Sequence, residues 1–389
     1  MTKRPAEATR LIRSGSGPAK PARTVGPPIQ KGSTVLLGRA ADLYDTAQPT
    51  YGRGGLGTQE TLISALAELE GATAVRLFPS GLAAMTGAML AVLKAGDEVL
   101  LTDAAYKPTH RFCDNVLKRF GVSVRIYAPR TSPDALIAMA GSATRLIVLE
   151  SPGSLTFEVQ DTPAIAALAS ARGLLTLMDN TWAAGLFFKP LAHGVDISVQ
   201  ALTKYVGGHS DVFMGSAAAT APELVEALDH AIWDFGWSVA PEDAYQMLRG
   251  LRTLPTRMAR HQQSAVAVGR WLSEHPSVAR VLYPALPGAP DHALWRRDFT
   301  GAAGVFSVVL RPCPAPAVHA FLDRLELFGL GFSWGGFESL ALDCDPQFEA
   351  RGHLPKFEGP VVRLNIGLED PDDLIADLVR ALSVIAPGR

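Results

Sequence analysis

A lysine and an acid on one edge of a sheet can carry out a specific kind of chemistry. Asp179 directly follows the apolar run 174–178, and Lys204 follows the run 195–199. Taken singly, an aspartate at a strand end is more often a turn or cap residue, and a lysine is usually a solvated charge. Taken together they suit a cofactor that carries an aldehyde on a pyridine ring. The amine forms an imine, and the acid keeps the ring nitrogen protonated so that the ring accepts carbanion electrons. Pyridoxal phosphate is such a cofactor, and its phosphate needs a seat. Phe78-Pro79-Ser80-Gly81-Leu82-Ala83 enters a helix, which would place the N–H groups of Gly81 and Leu82 at its positive end. The same stretch also reads as a plain N-cap by Ser80. Tyr106 lies in the loop after 99–101, where its ring could stack on the pyridine or equally belong to the core. No metal site is expected.

For these residues to converge, helices must alternate with short strands. From Thr58 onward, Leu62, Leu66 and Leu69 recur at helical spacing until Gly71 stops them. A helix is predicted over 82–94, ended by Gly96 and followed by a strand over 99–101. Pro108 opens another helix, ended by Gly121, and strands are predicted over 122–127 and 145–149. A helix over 163–172 precedes the strands 174–178 and 195–199. This alternation implies a mainly parallel sheet covered on both faces, because parallel strands need crossover helices. Ligands of such sheets sit beyond the carboxyl ends of the strands. Past about residue 241 the rhythm changes to a long helical stretch, a strand over 305–310, a helix over 316–327, a strand over 361–366 and a final helix. The expected division is an N-terminal arm over 1–57, a cofactor domain over 58–240 and a smaller α+β domain over 241–389.

Composition removes several function classes. The 389 residues carry 36 basic and 38 acidic side chains, a net charge of −2, so no global field attracts nucleic acid or an anionic membrane. No window approaches the roughly 18 uninterrupted apolar residues of a membrane helix. Cys113, Cys313 and Cys344 are odd in number and widely spaced, which argues against a disulfide framework and for a reducing cytoplasm. The first 28 residues hold Lys3, Arg4, Arg10, Arg13, Lys20 and Arg23 against Glu7 alone, with five prolines. They read as a disordered arm rather than as an amphipathic transit peptide.

Six motifs occur in a fixed order: Tyr51-Gly52-Arg53; Leu69-Glu70-Gly71; Pro79-Ser80-Gly81; Asp179-Asn180-Thr181; Thr203-Lys204-Tyr205 with Gly208-His209-Ser210-Asp211; and Arg363-Leu364 with Gly367-Leu368-Glu369-Asp370. In this order they resemble the cysteine/methionine-metabolism enzymes that use pyridoxal phosphate, which have the aspartate-aminotransferase-like fold (fold type I). The resemblance implies that Lys204 is the Schiff-base lysine and that Asp179 pairs with the pyridine nitrogen. It also implies that Gly81, Leu82 and Thr203 hold the phosphate and that Tyr106 stacks on the ring. Tyr51 and Arg53 would reach the phosphate of a neighbouring subunit, which implies a homodimer with shared sites, commonly paired into a tetramer. Arg363, which pattern alone would leave facing solvent, becomes the clamp for the substrate α-carboxylate, with Ser333 and Trp334 nearby.

One departure is Ala201, which stands where many γ-class relatives carry serine. With Asp179-Asn180-Thr181-Trp182, Ala105-Tyr106-Lys107-Pro108 and Ser333-Trp334-Gly335-Gly336, it resembles the branch that cleaves cystathionine by β-elimination. The expected enzyme is therefore a carbon–sulfur lyase acting on a small sulfur amino acid and releasing a thiol, pyruvate and ammonia. Lys204 would take the α-proton, and Lys204, Tyr106 or the partner's Tyr51 would protonate the leaving sulfur. A γ-lyase, γ-synthase or sulfhydrylase of the same family stays open, as does a cofactor-binding regulator without turnover. A nicotinamide-dependent dehydrogenase is disfavoured, since no GxGxxG opens the sheet.

Overall fold

Leu146 and Val148 point into one hydrophobic cluster, and Ile147 and Leu149 into another, because successive side chains of a strand face opposite ways. All four are buried. At about 2 kcal/mol for each buried aliphatic side chain, this strand is stabilised only if both of its faces are covered. In the computed structural model, which describes residues 24–45 and 47–385, that strand lies inside a seven-stranded sheet. The arm expected over the first 28 residues falls largely outside the described residues.

The sheet contains β1 (Ala74–Phe78), β2 (Glu98–Thr102), β3 (Ser123–Tyr127), β4 (Thr144–Glu150), β5 (Leu175–Asp179), β6 (Ile197–Ala201) and β7 (Gly215–Ala219), in the order β1-β7-β6-β5-β4-β2-β3. β2 to β6 pair in parallel, while β7 runs antiparallel to both β6 and β1. From β2 the chain winds to β3 on one side and then returns to β4 on the other. The strand order therefore reverses between β2 and β4, where open α/β sheets form their ligand crevice. Helices Gly81–Val92 and Pro222–Phe235 cover one face through Met85, Met89, Leu224 and Leu228. Helices Gly57–Glu70 and Thr162–Ala171 contribute Leu62, Leu66 and Ile165 to the cluster on the other. The first of these ends at Gly71, whose φ of 68° is the left-handed cap conformation.

A second sheet contains β8 (Val278–Leu282), β9 (Val305–Leu310), β10 (Gly329–Leu330), β11 (Leu340–Asp343) and β12 (Val361–Asn365), ordered β10-β11-β12-β9-β8. Helices Leu254–Glu274 and Pro371–Leu382 pack on it through Met258, Val268, Leu374 and Leu378. One hydrophobic cluster runs through both sheets, joining Leu77 and Met178 to Phe306 and Leu364. Among the described residues, no helix is long and apolar enough to cross a membrane.

Candidate active site

The carboxyl edge of the large sheet opens into a cavity of about 270 Å³. Asp179 is the last residue of β5, not the first after it, and Lys204 follows β6 by three residues. Both line the cavity, with Gly81 and Leu82 at the start of helix Gly81–Val92, Thr203 before the lysine, and Tyr106 after β2. Arg363 and Trp334 enter from the second sheet and its loops. Ser333 joins through its hydroxyl, which lies 2.9 Å from Lys204 Nζ.

Each group is tuned by where it sits. Burial, reinforced by the Arg363 charge, lowers the Lys204 pKa to about 8, with Asp179 opposing. The amine also lies 5.3 Å from the centre of the Trp334 ring. Burial raises the Asp179 pKa, against two hydrogen bonds from Thr181, N–H at 2.9 Å and O–H at 2.5 Å, both to Oδ1. Arg363 is only 6% exposed, so the solvent-facing strand position suggested by pattern alone does not apply. Its Nη2 donates to the carbonyls of Gly331, Phe332 and Ser333 at 3.2, 3.0 and 2.9 Å. Those dipoles hold a desolvated cation in place without neutralising it. The Tyr106 phenol is protonated near neutral pH, as an ordinary tyrosine is, and partial desolvation raises its pKa further.

The helix start is capped by Ser80, and its tip lines the cavity. Ser80 Oγ accepts from Ala83 N–H at 3.1 Å, as an N-cap does, while Gly81 and Leu82 precede that bond at the helix tip. A Cβ at Gly81 would lie 2.3 Å from the Ala201 Cβ, so glycine is required for the helix to touch β6. The Thr203 hydroxyl is tied to the Met214 main chain, donating to its oxygen at 3.2 Å and accepting from its nitrogen at 3.0 Å.

Tyr51 and Arg53 do not reach this cavity within their own chain. Tyr51 is 47% exposed. Arg53 stacks 4.6 Å over the Trp233 ring and donates to the Trp233 carbonyl at 3.0 Å, in a separate groove.

Sequence reasoning passed over Glu150, which ends β4 and lines the cavity. The strand-end rule that selected Asp179 applies to it equally. It also passed over Asp103 and Arg351, a buried ion pair at 2.6 Å joining the loop before Tyr106 to the C-terminal region. They stand 248 positions apart in the chain, so no local signal pairs them.

An open, mainly parallel sheet with its lysine and aspartate at the carboxyl edge, closed over by a smaller second sheet, is the architecture of fold type I enzymes. Within that class, the chain belongs to the Cys/Met metabolism PLP-dependent enzymes, whose pattern it matches over residues 8–383. It is 40% identical over 383 residues to the cystathionine beta-lyase MetC of Escherichia coli (strain K12), covering 95% of this chain and 96% of that one. It is 41% identical over 388 residues to the cystathionine beta-lyase of Bordetella avium, covering 96% of each. Its structure resembles that of cystathionine gamma-lyase from Lactobacillus plantarum complexed with L-serine, with a TM-score of 0.84, 32% identity, and coverage of 92% and 93%.

The residues present fit pyridoxal phosphate. Among the described residues, no hydrogen bond reaches Asp179 Oδ2, and a protonated ring nitrogen would give this oxygen the donor it lacks. Lys204 supplies an amine that is partly neutral near physiological pH, and the helix tip at Gly81 would suit a phosphate.

Proposed function

We propose that the protein is a carbon–sulfur lyase that cleaves cystathionine, and other cysteine S-conjugates, by β-elimination. The observation that carries this reading is the convergence in one cavity of the Lys204 amine, the Asp179 carboxylate and the cationic Arg363. When bound, pyridoxal phosphate supplies the aldehyde that engages an amine and a protonated ring that withdraws electrons from the substrate α-carbon. The chain supplies the rest. Gly81 and Leu82 N–H groups and Thr203 seat the phosphate, Asp179 holds the ring nitrogen protonated, and Tyr106 stacks on the ring. Arg363 binds the α-carboxylate, with Ser333 and Trp334 bounding that end. Lys204 Nζ removes the α-proton and returns a proton to the departing sulfur, with Tyr106 or the partner's tyrosine as a second donor. With cystathionine and one water, the products are homocysteine, pyruvate and ammonia.

Identity of 40–41% with two cystathionine beta-lyases, against 37% over 379 residues with the cystathionine gamma-synthase of Mycobacterium bovis, supports β over γ cleavage. The products decide it. β-Cleavage of cystathionine gives pyruvate, whereas γ-cleavage gives 2-oxobutanoate and cysteine. Purified protein loaded with the cofactor is expected to yield pyruvate and homocysteine in equal amounts, and 2-oxobutanoate as main product would replace this reading with a γ-lyase.

The active unit in this reading is a dimer with shared sites, assembled further into a tetramer. Tyr51 and Arg53 stand apart from their own cavity, and Leu36, Tyr44, Phe213 and Phe332 are large apolar side chains left mostly exposed. The reaction is placed in the cytoplasm, in keeping with three cysteines that are all free.

A further inference from the structure

Beneath the cavity lie two carboxylates, and the reaction uses only one. Glu150 ends β4 and Asp179 ends β5; the two are direct partners in the parallel register and both line the cavity. Neighbouring parallel strands lie about 4.8 Å apart, so the two carboxyl groups at the partly buried floor of the cavity interact. Two anions so placed cannot both be ionised cheaply, and the one with better partners keeps the charge.

The partners are unequal. Asp179 accepts two hydrogen bonds from Thr181 and is stabilised by the Lys204 charge. Among the described residues, the Glu150 carboxyl has one hydrogen bond, from the Tyr106 main-chain N–H to Oε2 at 2.7 Å. Other groups act on it less: Arg351 favours ionisation from a distance, the neutral Tyr106 phenol faces the same cavity, and Lys204 and Arg363 share the cavity without forming an ion pair with it. Burial first, and then the Asp179 charge, push the Glu150 pKa well above that of an ordinary carboxyl.

We propose that Glu150 is a positioning residue that works in its protonated form, anchoring the Tyr106 main chain and leaving Asp179 as the single anion under the cofactor ring. A second anion there would over-stabilise the ring's positive charge and compete for Lys204. A neutral acid can still accept from Tyr106 N–H, so the loop that carries the stacking ring stays docked on the sheet. This inference rests on the reading that Asp179 faces the ring nitrogen.

The test compares wild type with Glu150→Gln and Glu150→Ala. Glutamine is isosteric, permanently neutral and keeps the acceptor. The cofactor dissociation constant and the near-visible absorbance of Glu150→Gln are therefore expected to stay within about twofold of wild type. Glu150→Ala orphans the Tyr106 N–H and is expected to weaken cofactor binding on the order of tenfold. Difference infrared spectra of wild type against Glu150→Gln, at neutral pH, are expected to lose the carbonyl stretch of a protonated carboxylic acid. Loss of an ionised carboxylate band instead, or a shift of tenfold or more in cofactor affinity of Glu150→Gln, overturns the proposal. If Glu150→Ala does not fold, the glutamine variant and the infrared band still decide. The underlying site reading fails separately, if the near-visible band survives Lys204→Ala.

Discussion

A lysine that leaves water is easier to deprotonate, and Lys204 is drawn down to about 8 by burial and by the Arg363 charge. At pH 7.5 about a quarter of such amines are neutral, against about a thousandth for an ordinary lysine. Only the neutral amine attacks an aldehyde. The rate at which the cofactor-free protein takes up pyridoxal phosphate should therefore rise with pH and level off above about 8, where a surface lysine would still be climbing. A rate that keeps rising to pH 10 would show that burial has not tuned this amine. Lys204→Ala should lose both the near-visible absorbance and all borohydride-trappable attachment. Substitution of Arg363 tests its proposed role as the carboxylate clamp. Its Nη2 is held by three carbonyls and its charge has no carboxylate partner among the described residues, so Arg363→Ala should cost on the order of 2 to 5 kcal/mol in kcat/KM. Most of that loss should appear in KM, with cofactor affinity near normal. Lys204 and Asp179 stand out in the sequence because motif order and the strand-end rule both select them, whereas Arg363, in the middle of its strand, is picked out by motif order alone. Glu150 was not singled out, although it obeys the same rule, because its meaning depends on a partner 29 positions along the chain.

Elements were legible where their own composition forces them. The strand over 305–310 matches β9, and the strand expected over 174–178 is β5 moved by one residue. β7, Gly-Ser-Ala-Ala-Ala, went unrecognised because it has none of the branched or aromatic side chains that mark strands. Its smallness has a packing cause: a Cβ at Gly215 would lie 2.3 Å from the Ser80 carbonyl and 2.8 Å from the Ala84 Cβ. The proposed phosphate seat would thus depend on contact between elements. Gly81→Ala should push helix Gly81–Val92 off β6 and weaken cofactor binding more than tenfold, measured by titrating the cofactor into the variant. A second contact fixes the opposite wall. Asp103 accepts from Arg351 Nε at 2.6 Å and from the N–H groups of Gly352 and His353 at 2.9 and 3.1 Å. Burial pulls its pKa up, but these partners hold it below the usual value. The contribution is therefore complete above the ordinary aspartate pKa and is lost as pH falls through the depressed one. Arg351→Met should destabilise the fold by about 3 kcal/mol, because it leaves a buried charge without its ion pair. The double variant Asp103→Asn, Arg351→Met should recover part of that loss, a coupling that denaturant titration of the four proteins measures.

At the scale of the whole molecule, one chain brings together the residues proposed for the site, except the pair Tyr51 and Arg53. Both lie in a groove apart from the Lys204 cavity, and Arg53 is occupied by the Trp233 ring and carbonyl. Sequence pattern alone could not place this pair, since a contact between two copies leaves no periodicity in one chain; only the motif order suggested it. The geometry leaves two possibilities, an outlying structural arginine or one that completes a neighbour's site, and subunit mixing separates them. In a two-fold dimer each site would combine Lys204 of one chain with Arg53 of the other. Arg53→Ala and Lys204→Ala homodimers are then both inactive, each lacking a different part. A hybrid has one site with both defects and one with neither. After random exchange of equal amounts, half the dimers are hybrids and half of their sites work, so about a quarter of wild-type activity should return. If Arg53 instead served only its own chain, each hybrid site would keep its own defect and mixing would restore nothing. The measurement is specific activity before and after exchange, with hybrid formation verified by native mass spectrometry. Hybrids present without recovered activity would confine the site to one chain and return Arg53 to a structural role on Trp233.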